Sequence, residues 1–118
     1  MYVLFEQDGR RIELPGRTCT VLVGQGALAS EKLTMGVTEL PPHTRLASHV
    51  HSKEDEAIYV MEGEGIVEVD GKEERIGKGA ALILPSGSEH LIENRSSSAM
   101  RFVFAFAPPV VVGSYDRK

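Results

Sequence analysis

Short apolar runs that alternate with polar residues, each closed by glycine, proline or a polar cluster, recur along the whole chain. This is the period-two pattern of strands half buried against a core, not the 3.6-residue period of a helix. In residues 33–38, Leu33, Met35 and Val37 share one parity and Thr34, Gly36 and Thr38 the other, so the pattern predicts a strand with the first set turned inward. Residues 100–107 carry Phe102, Phe104 and Phe106 on one face and stop at Pro108 and Pro109. Residues 18–23 form a β-branched run closed by Gly24 and Gly26. Asp70-Gly71 between residues 66–69 and 72–76 predicts a hairpin with a type I′ turn. Further strands are expected at residues 2–5, 11–14, 56–61, 80–84 and 89–93, with a tight turn at 62–65 between paired strands and another at 85–87. Residues 27–32 read as a loop. The run Val110 to Val112 is expected to add an edge strand, open to a partner. Many short strands without a convincing helix make the fold class all-β, a sandwich or barrel.

Composition sharpens this picture little but excludes several functions. A chain of 118 residues suits one domain with one core, and 12 Gly with 6 Pro suits many turns. The formal charge of −4, with acids and bases interspersed, offers no basic footprint for nucleic acid. No apolar run approaches the length of a membrane span. The lone Cys19 cannot form an intramolecular disulfide, and the first residues lack the marks of a signal peptide, so a reducing cytoplasmic setting is expected.

The chemistry concentrates in one stretch. His49 and His51 stand two apart in an extended segment, so both imidazoles face one side and can meet one ion. Glu56, across a short turn, can return a carboxylate to that ion from a neighbouring strand. A barrel site also needs a ligand from a distant strand, and His90 is the other histidine that opens a strand-like run. The opposing reading is that these are hydrogen-bonded core histidines and that Glu56 belongs to the solvated charge run Lys53, Glu54, Asp55.

Written with its spacings, the first stretch is His-x-His, four residues, Glu56, six residues, Gly63, and the second is Gly79, five residues, Pro85-x-Gly87, two residues, His90, three residues, Asn94. Together, over about 43–63 and 79–94, they resemble the two motifs of the cupin family, whose fold is a double-stranded β-helix or jelly-roll barrel. The resemblance departs at one defining position, where His43 stands in place of the usual glycine. Histidine tolerates a left-handed backbone better than branched residues do. The resemblance implies that His49, His51, Glu56 and His90 are metal ligands, and an imidazole and carboxylate set suits Mn or Fe first, with Zn, Ni or Co also compatible.

Other expectations follow. Ile58 and Val60 share the inward face of Glu56, and Ile92 that of His90. Arg45 shares parity with His49 and is expected to aim at the site mouth, where its planar fork could clamp a carboxylate. His43 is the other polar candidate near that mouth. The leading functional expectation is a small metal-dependent enzyme acting on an oxygen-rich small molecule, with dioxygenase or oxidative decarboxylase-like chemistry ahead of a non-redox isomerase or lyase. The alternative is a non-catalytic module that binds or senses a small acid or sugar. A homodimer is expected in either case.

Overall fold

The computed structural model describes residues 1–115. The strands are β1 (Arg10–Leu14), β2 (Arg17–Val23), β3 (Thr34–Leu40), β4 (Thr44–Arg45), β5 (His49–Val50), β6 (Asp55–Glu62), β7 (Glu64–Val69), β8 (Lys72–Gly77), β9 (Ala81–Leu84), β10 (Glu89–Asn94) and β11 (Met100–Ala107). They form two antiparallel sheets packed as a jelly roll. One has six strands in the order β1-β2-β3-β11-β6-β9, and the other has five, in the order β4-β10-β7-β8 with β5 also paired to β10. The core between them is filled by Val21, Leu40, Ile58, Val60, Leu84, Met100 and the rings of Phe102, Phe104 and Phe106. No helix among the described residues is long and apolar enough to cross a membrane.

Several elements follow directly from local sequence. Asp70 and Gly71 both take positive φ, 48° and 84°, as a type I′ turn demands, and Val69 pairs with Lys72 across it. Phe102, Phe104 and Phe106 all point inward, as their period-two spacing predicts. Asn94, fully buried at the end of β10, donates from Nδ2 to the carbonyls of Leu40 (3.2 Å), Pro41 (3.1 Å) and Ser98 (2.8 Å). Its Oδ1 accepts from the Ser96 amide and hydroxyl. It is a turn-binding residue, tying two loops to one strand end.

Four expectations are corrected. Residues 2–5 form no strand; Tyr2, Val3 and Phe5 are exposed, and the chain makes a 3-10 turn at Glu6–Asp8 whose Glu6 pairs with Arg101 on β11. Residues 62–65 are not a turn between paired strands. β6 belongs to the six-stranded sheet and β7 to the other, and Gly63, at φ 88°, is the corner where the chain changes sheets. Val110 to Val112 adds no edge strand; Val112 packs into the core, and Val110 exchanges hydrogen bonds with the Thr34 hydroxyl at 3.0 and 3.1 Å.

The fourth correction concerns the face of β3. Thr34, Gly36, Thr38 and Leu40 point inward with burial near complete; on the other parity Leu33 is exposed and Met35 half-buried, and Val37 is buried but outside the core cluster. The reason lies in the neighbouring strand: Thr34, Gly36 and Thr38 pair laterally with Phe106, Phe104 and Phe102. Three rings on one inner face need small partners beside them, so volume overrides the apolar alternation.

Candidate metal centre

The site forms at the end of the barrel where both sheets contribute. His49 on β5 lies directly opposite His90 on β10 in the five-stranded sheet. Glu56 comes from β6 in the facing sheet, where it pairs with Phe106. His51 follows β5 as the chain crosses between the sheets. The turn at residues 85–87 that leads into β10 is locked onto this crossing: the Gly87 amide donates to the His51 carbonyl at 2.8 Å and the Ser86 amide to Asp55 at 2.9 Å. Gly87 takes φ 83°, a left-handed conformation that a glycine adopts without strain. Ile58 and Val60 continue the buried face of Glu56 into the core, and Ile92, on the face of His90, lines the cavity.

All four side chains are buried, between 3 and 8% exposed. Potential ligand atoms of His51, Glu56 and His90 lie within 4.8 Å of one another. Glu56 Oε1 stands 3.4 Å from Nε2 of both His51 and His90. That is longer than a good N–H···O bond. Donors bound to one first-row ion at about 2.1 Å stand about 3.0–3.4 Å apart, so the spacing fits a shared ion. The His49 ring centroid is 6.1 Å from that of His51 and 6.0 Å from that of His90, beside the group and on the same cavity. Nε2 of His51 and both ring nitrogens of His90 are buried with no hydrogen-bond partner among the described residues. Buried polar atoms are rarely left so, and an ion is the partner this donor set suits. Burial disfavours charge on Glu56, but the His51 and His90 imidazoles beside its carboxylate outweigh it and hold its carboxyl below the usual range. The stabilisation from its ionised form is therefore present above the ordinary carboxylate range and is lost only as pH falls through the lower folded value.

Comparison with known proteins gives the family and the fold. The family profile described as "Cupin domain" matches residues 36–106, more than half of the chain. The chain is a cupin. The tetracenomycin polyketide synthase protein TcmJ of Streptomyces glaucescens is 31% identical over 93 residues, 79% of this cupin but only 62% of TcmJ. The oxalate-binding protein of Thermotoga maritima is 29% identical over 82 residues, 70% of this cupin and 68% of its own length. In fold, the cupin resembles the ectoine synthase from P. lautus, with a TM-score of 0.82 at 24% identity over 94% of this chain and 80% of that one.

The structure does not bring the cupin's other two candidates to the site. Arg45 is exposed on the outer face, where it pairs with Glu93 at 3.0 Å and Glu68 at 3.4 Å. Parity fails because Arg45 pairs with Glu93 whereas His49 pairs with His90: four steps on one strand answer three on the other. The extra residue flips the side chains, and Leu46 faces inward instead. His43 is exposed with φ 52°, so it does take the left-handed backbone of the family's glycine. It lies beyond the Thr44–Asn94 pair, about 16 Å along the sheet from the His49–His90 pair.

Two residues that the sequence pattern did not single out line the same cavity, Arg17 and Tyr115. Arg17 opens β2 and is only 7% exposed. Tyr115 arrives from the C-terminal segment, its ring centroid 4.5 Å from that of His51 and 5.3 Å from that of His49. Burial, then the Glu56 charge, raises the Tyr115 hydroxyl well above the ordinary phenol range, so it stays protonated. The parity of Arg17 with Cys19 and Val21, both inward, was the available signal for the first. Nothing local in the sequence places Tyr115.

Proposed function

We propose that His49, His51, Glu56 and His90 bind one divalent transition metal, Mn or Fe ahead of Zn, Ni or Co, and that the chain acts on a small oxygen-rich substrate with dioxygenase or oxidative decarboxylase-like chemistry. The observation that carries this reading is the buried His51, Glu56 and His90 group beside a cavity, in which Nε2 of His51 and both ring nitrogens of His90 lack a hydrogen-bond partner among the described residues. A bound ion would supply Lewis acidity and, as Mn or Fe, redox chemistry with dioxygen. The protein's part is to hold three imidazoles and one carboxylate in a water-poor pocket and to keep Glu56 ionised, while Ile92, Phe102 and Phe104 wall the cavity. The oxalate-binding relative supports a small acid as the class of ligand.

A second reading, a non-catalytic binder of a small acid or sugar, is favoured by the cavity lining. Beyond His49, Glu56 and His90 it offers Arg17, Cys19, Thr38 and Tyr115, and no further carboxylate or imidazole among the described residues to act as acid or base. Elemental analysis followed by oxygen-consumption assays of the Mn- and Fe-loaded protein over diketones, oxalate-like acids and catechols separates the two. Turnover is the expected result. Saturable binding without turnover selects the binding module, and a protein that retains no metal removes the metal reading.

We also infer a homodimer built on the outer face of the six-stranded sheet. Tyr59 and Ile83, on adjacent strands of that face, are 52% and 62% exposed, and Tyr2, Val3 and Phe5 lie exposed on the N-terminal segment. Sedimentation is expected to give about twice the chain mass of 12.9 kDa. A monomer at every concentration would contradict this.

A further inference from the structure

The cavity beside the candidate metal centre leaves only about 30 Å³ for water centres. One water needs about 10–15 Å³ of such space, so the closed cavity holds about two waters and no organic molecule. A wall must therefore move before a ligand enters. Every wall but two sits on a paired strand, the exceptions being Leu46 and Tyr115. Leu46 is tied to β10 through its amide, which donates to the Ile92 carbonyl at 3.0 Å, and an outer recess of about 260 Å³ touches the cavity across it. Tyr115 comes from residues 108–115, which form no strand and cross the barrel after β11. Val110 exchanges hydrogen bonds with the Thr34 hydroxyl at the start of β3, Val112 packs in the core, and Gly113 passes close to Leu14 at the end of β1. The Tyr115 ring then stands nearly edge-on to two imidazoles, 4.5 Å from His51 at 81° and 5.3 Å from His49 at 73°.

We propose that residues 110–115 form a strap with the Tyr115 ring as its stopper, and that a small-molecule ligand reaches the centre only when this strap lifts while the strands stay in place. Lifting it breaks the two Val110–Thr34 hydrogen bonds and uncovers Val112 and Tyr115. Moving a strand wall instead breaks a ladder of the sheet, as for Phe102 and Phe104, whose strand β11 is paired on both sides. Local opening draws on the least stable part of a fold, and a segment outside both sheets is that part here. What the strap admits rests on the metal reading; the closure itself does not.

Cys19 is the chain's one thiol and lines the same cavity at 3% exposure, so its alkylation by iodoacetamide, followed by mass spectrometry of the full chain, times the opening. Below the unfolding transition the wild-type rate is expected to be nearly independent of urea, because lifting a strap exposes little surface, whereas global unfolding carries the full denaturant slope. Tyr115→Ala is expected to raise this urea-independent rate by about tenfold or more, and Tyr115→Phe, which keeps the ring, to change it by less than about twofold. Thr34→Val removes the hydroxyl that holds Val110 and is expected to raise the rate several-fold, which keeps the test open should the Ala variant fail to fold. A wild-type rate with the full urea slope would overturn the proposal, as would variants that alter only the urea-dependent branch. So would a Leu46→Ala variant faster than Tyr115→Ala, which would place the door at the outer recess. Release of Zn to a chelator from the Zn-loaded protein is expected to quicken in the same order of variants, and release indifferent to them would sever the strap from the centre. A wild type that retains no Zn, with the alkylation pattern intact, would remove the metal reading alone.

Discussion

Restoring Mn or Zn to chelator-stripped protein is expected to raise Tm by about 15 °C, and a His51→Ala/His90→Ala double variant is expected to show no rise. The magnitude follows from linkage: an ion at about a thousandfold excess over its Kd stabilises the folded state by about 4 kcal/mol, and each kcal/mol moves Tm by about 4 °C in a domain of this size. The double variant removes two of the three groups whose ligand atoms lie within 4.8 Å of one another and leaves Glu56 without the contacts that hold its carboxyl ionised. Loss of residues that merely orient a ligand costs about ten- to a hundredfold in metal affinity, so loss of two ligands exceeds that. Elemental analysis should fall from one ion per chain to background, while circular dichroism of the metal-free form keeps its strand signature, because apolar packing, not the cluster, fills the barrel. An undiminished thermal shift with unchanged metal content would remove the assignment of these residues.

Gly36→Val is expected to abolish folding or cost about 4 kcal/mol or more, a severity reserved for overpacking that side chains cannot relieve. A Cβ at Gly36 would stand 2.3 Å from the Thr20 carbonyl oxygen and 2.7 Å from Cζ of Phe104. The ring could shift only into a filled core, and the oxygen only by breaking the pairing of β2 with β3, two central strands of the six-stranded sheet. Gly77→Ala is the matched control, since a Cβ there meets nothing closer than 3.7 Å. Its effect on the denaturant midpoint should stay within about 1 kcal/mol. A Gly36→Val protein with wild-type stability would mean that β2, β3 and β11 do not pack as described.

The contrast between these two sites explains how much was readable beforehand. The metal candidates announce themselves because each sits in a short local pattern: His49 and His51 by parity, His90 behind a Pro-x-Gly turn, Glu56 at the head of an alternating strand. Local geometry carries such signals, and the strand order that unites them follows once the chain is recognised as a cupin. Gly36 gave no such signal. The alternation of Leu33, Met35 and Val37 points the wrong face inward, because a period-two pattern reports polarity along one strand and not the volume of the rings on the next. Arg45 departs from its parity for a related reason. One extra residue between the Arg45–Glu93 and His49–His90 pairs inverts every side chain upstream of it, and only the partner strand reveals the insertion.

By itself the sequence determined the all-β class, the type I′ hairpin at Asp70-Gly71, the inward phenylalanine strand and the candidates His49, His51, Glu56 and His90. These rest on chirality, alternation and turn chemistry, which act within a few residues. Only the tertiary structure decided that His51, Glu56 and His90 form the tight group, that Arg45 and His43 stand outside it, and that Arg17 and Tyr115 stand inside. Arg17 and Tyr115 come from opposite ends of the chain, and what joins them is the closing of two sheets over one cavity. Contacts of that range depend on which strands pair and in what register, a property of the folded whole that no local stretch encodes.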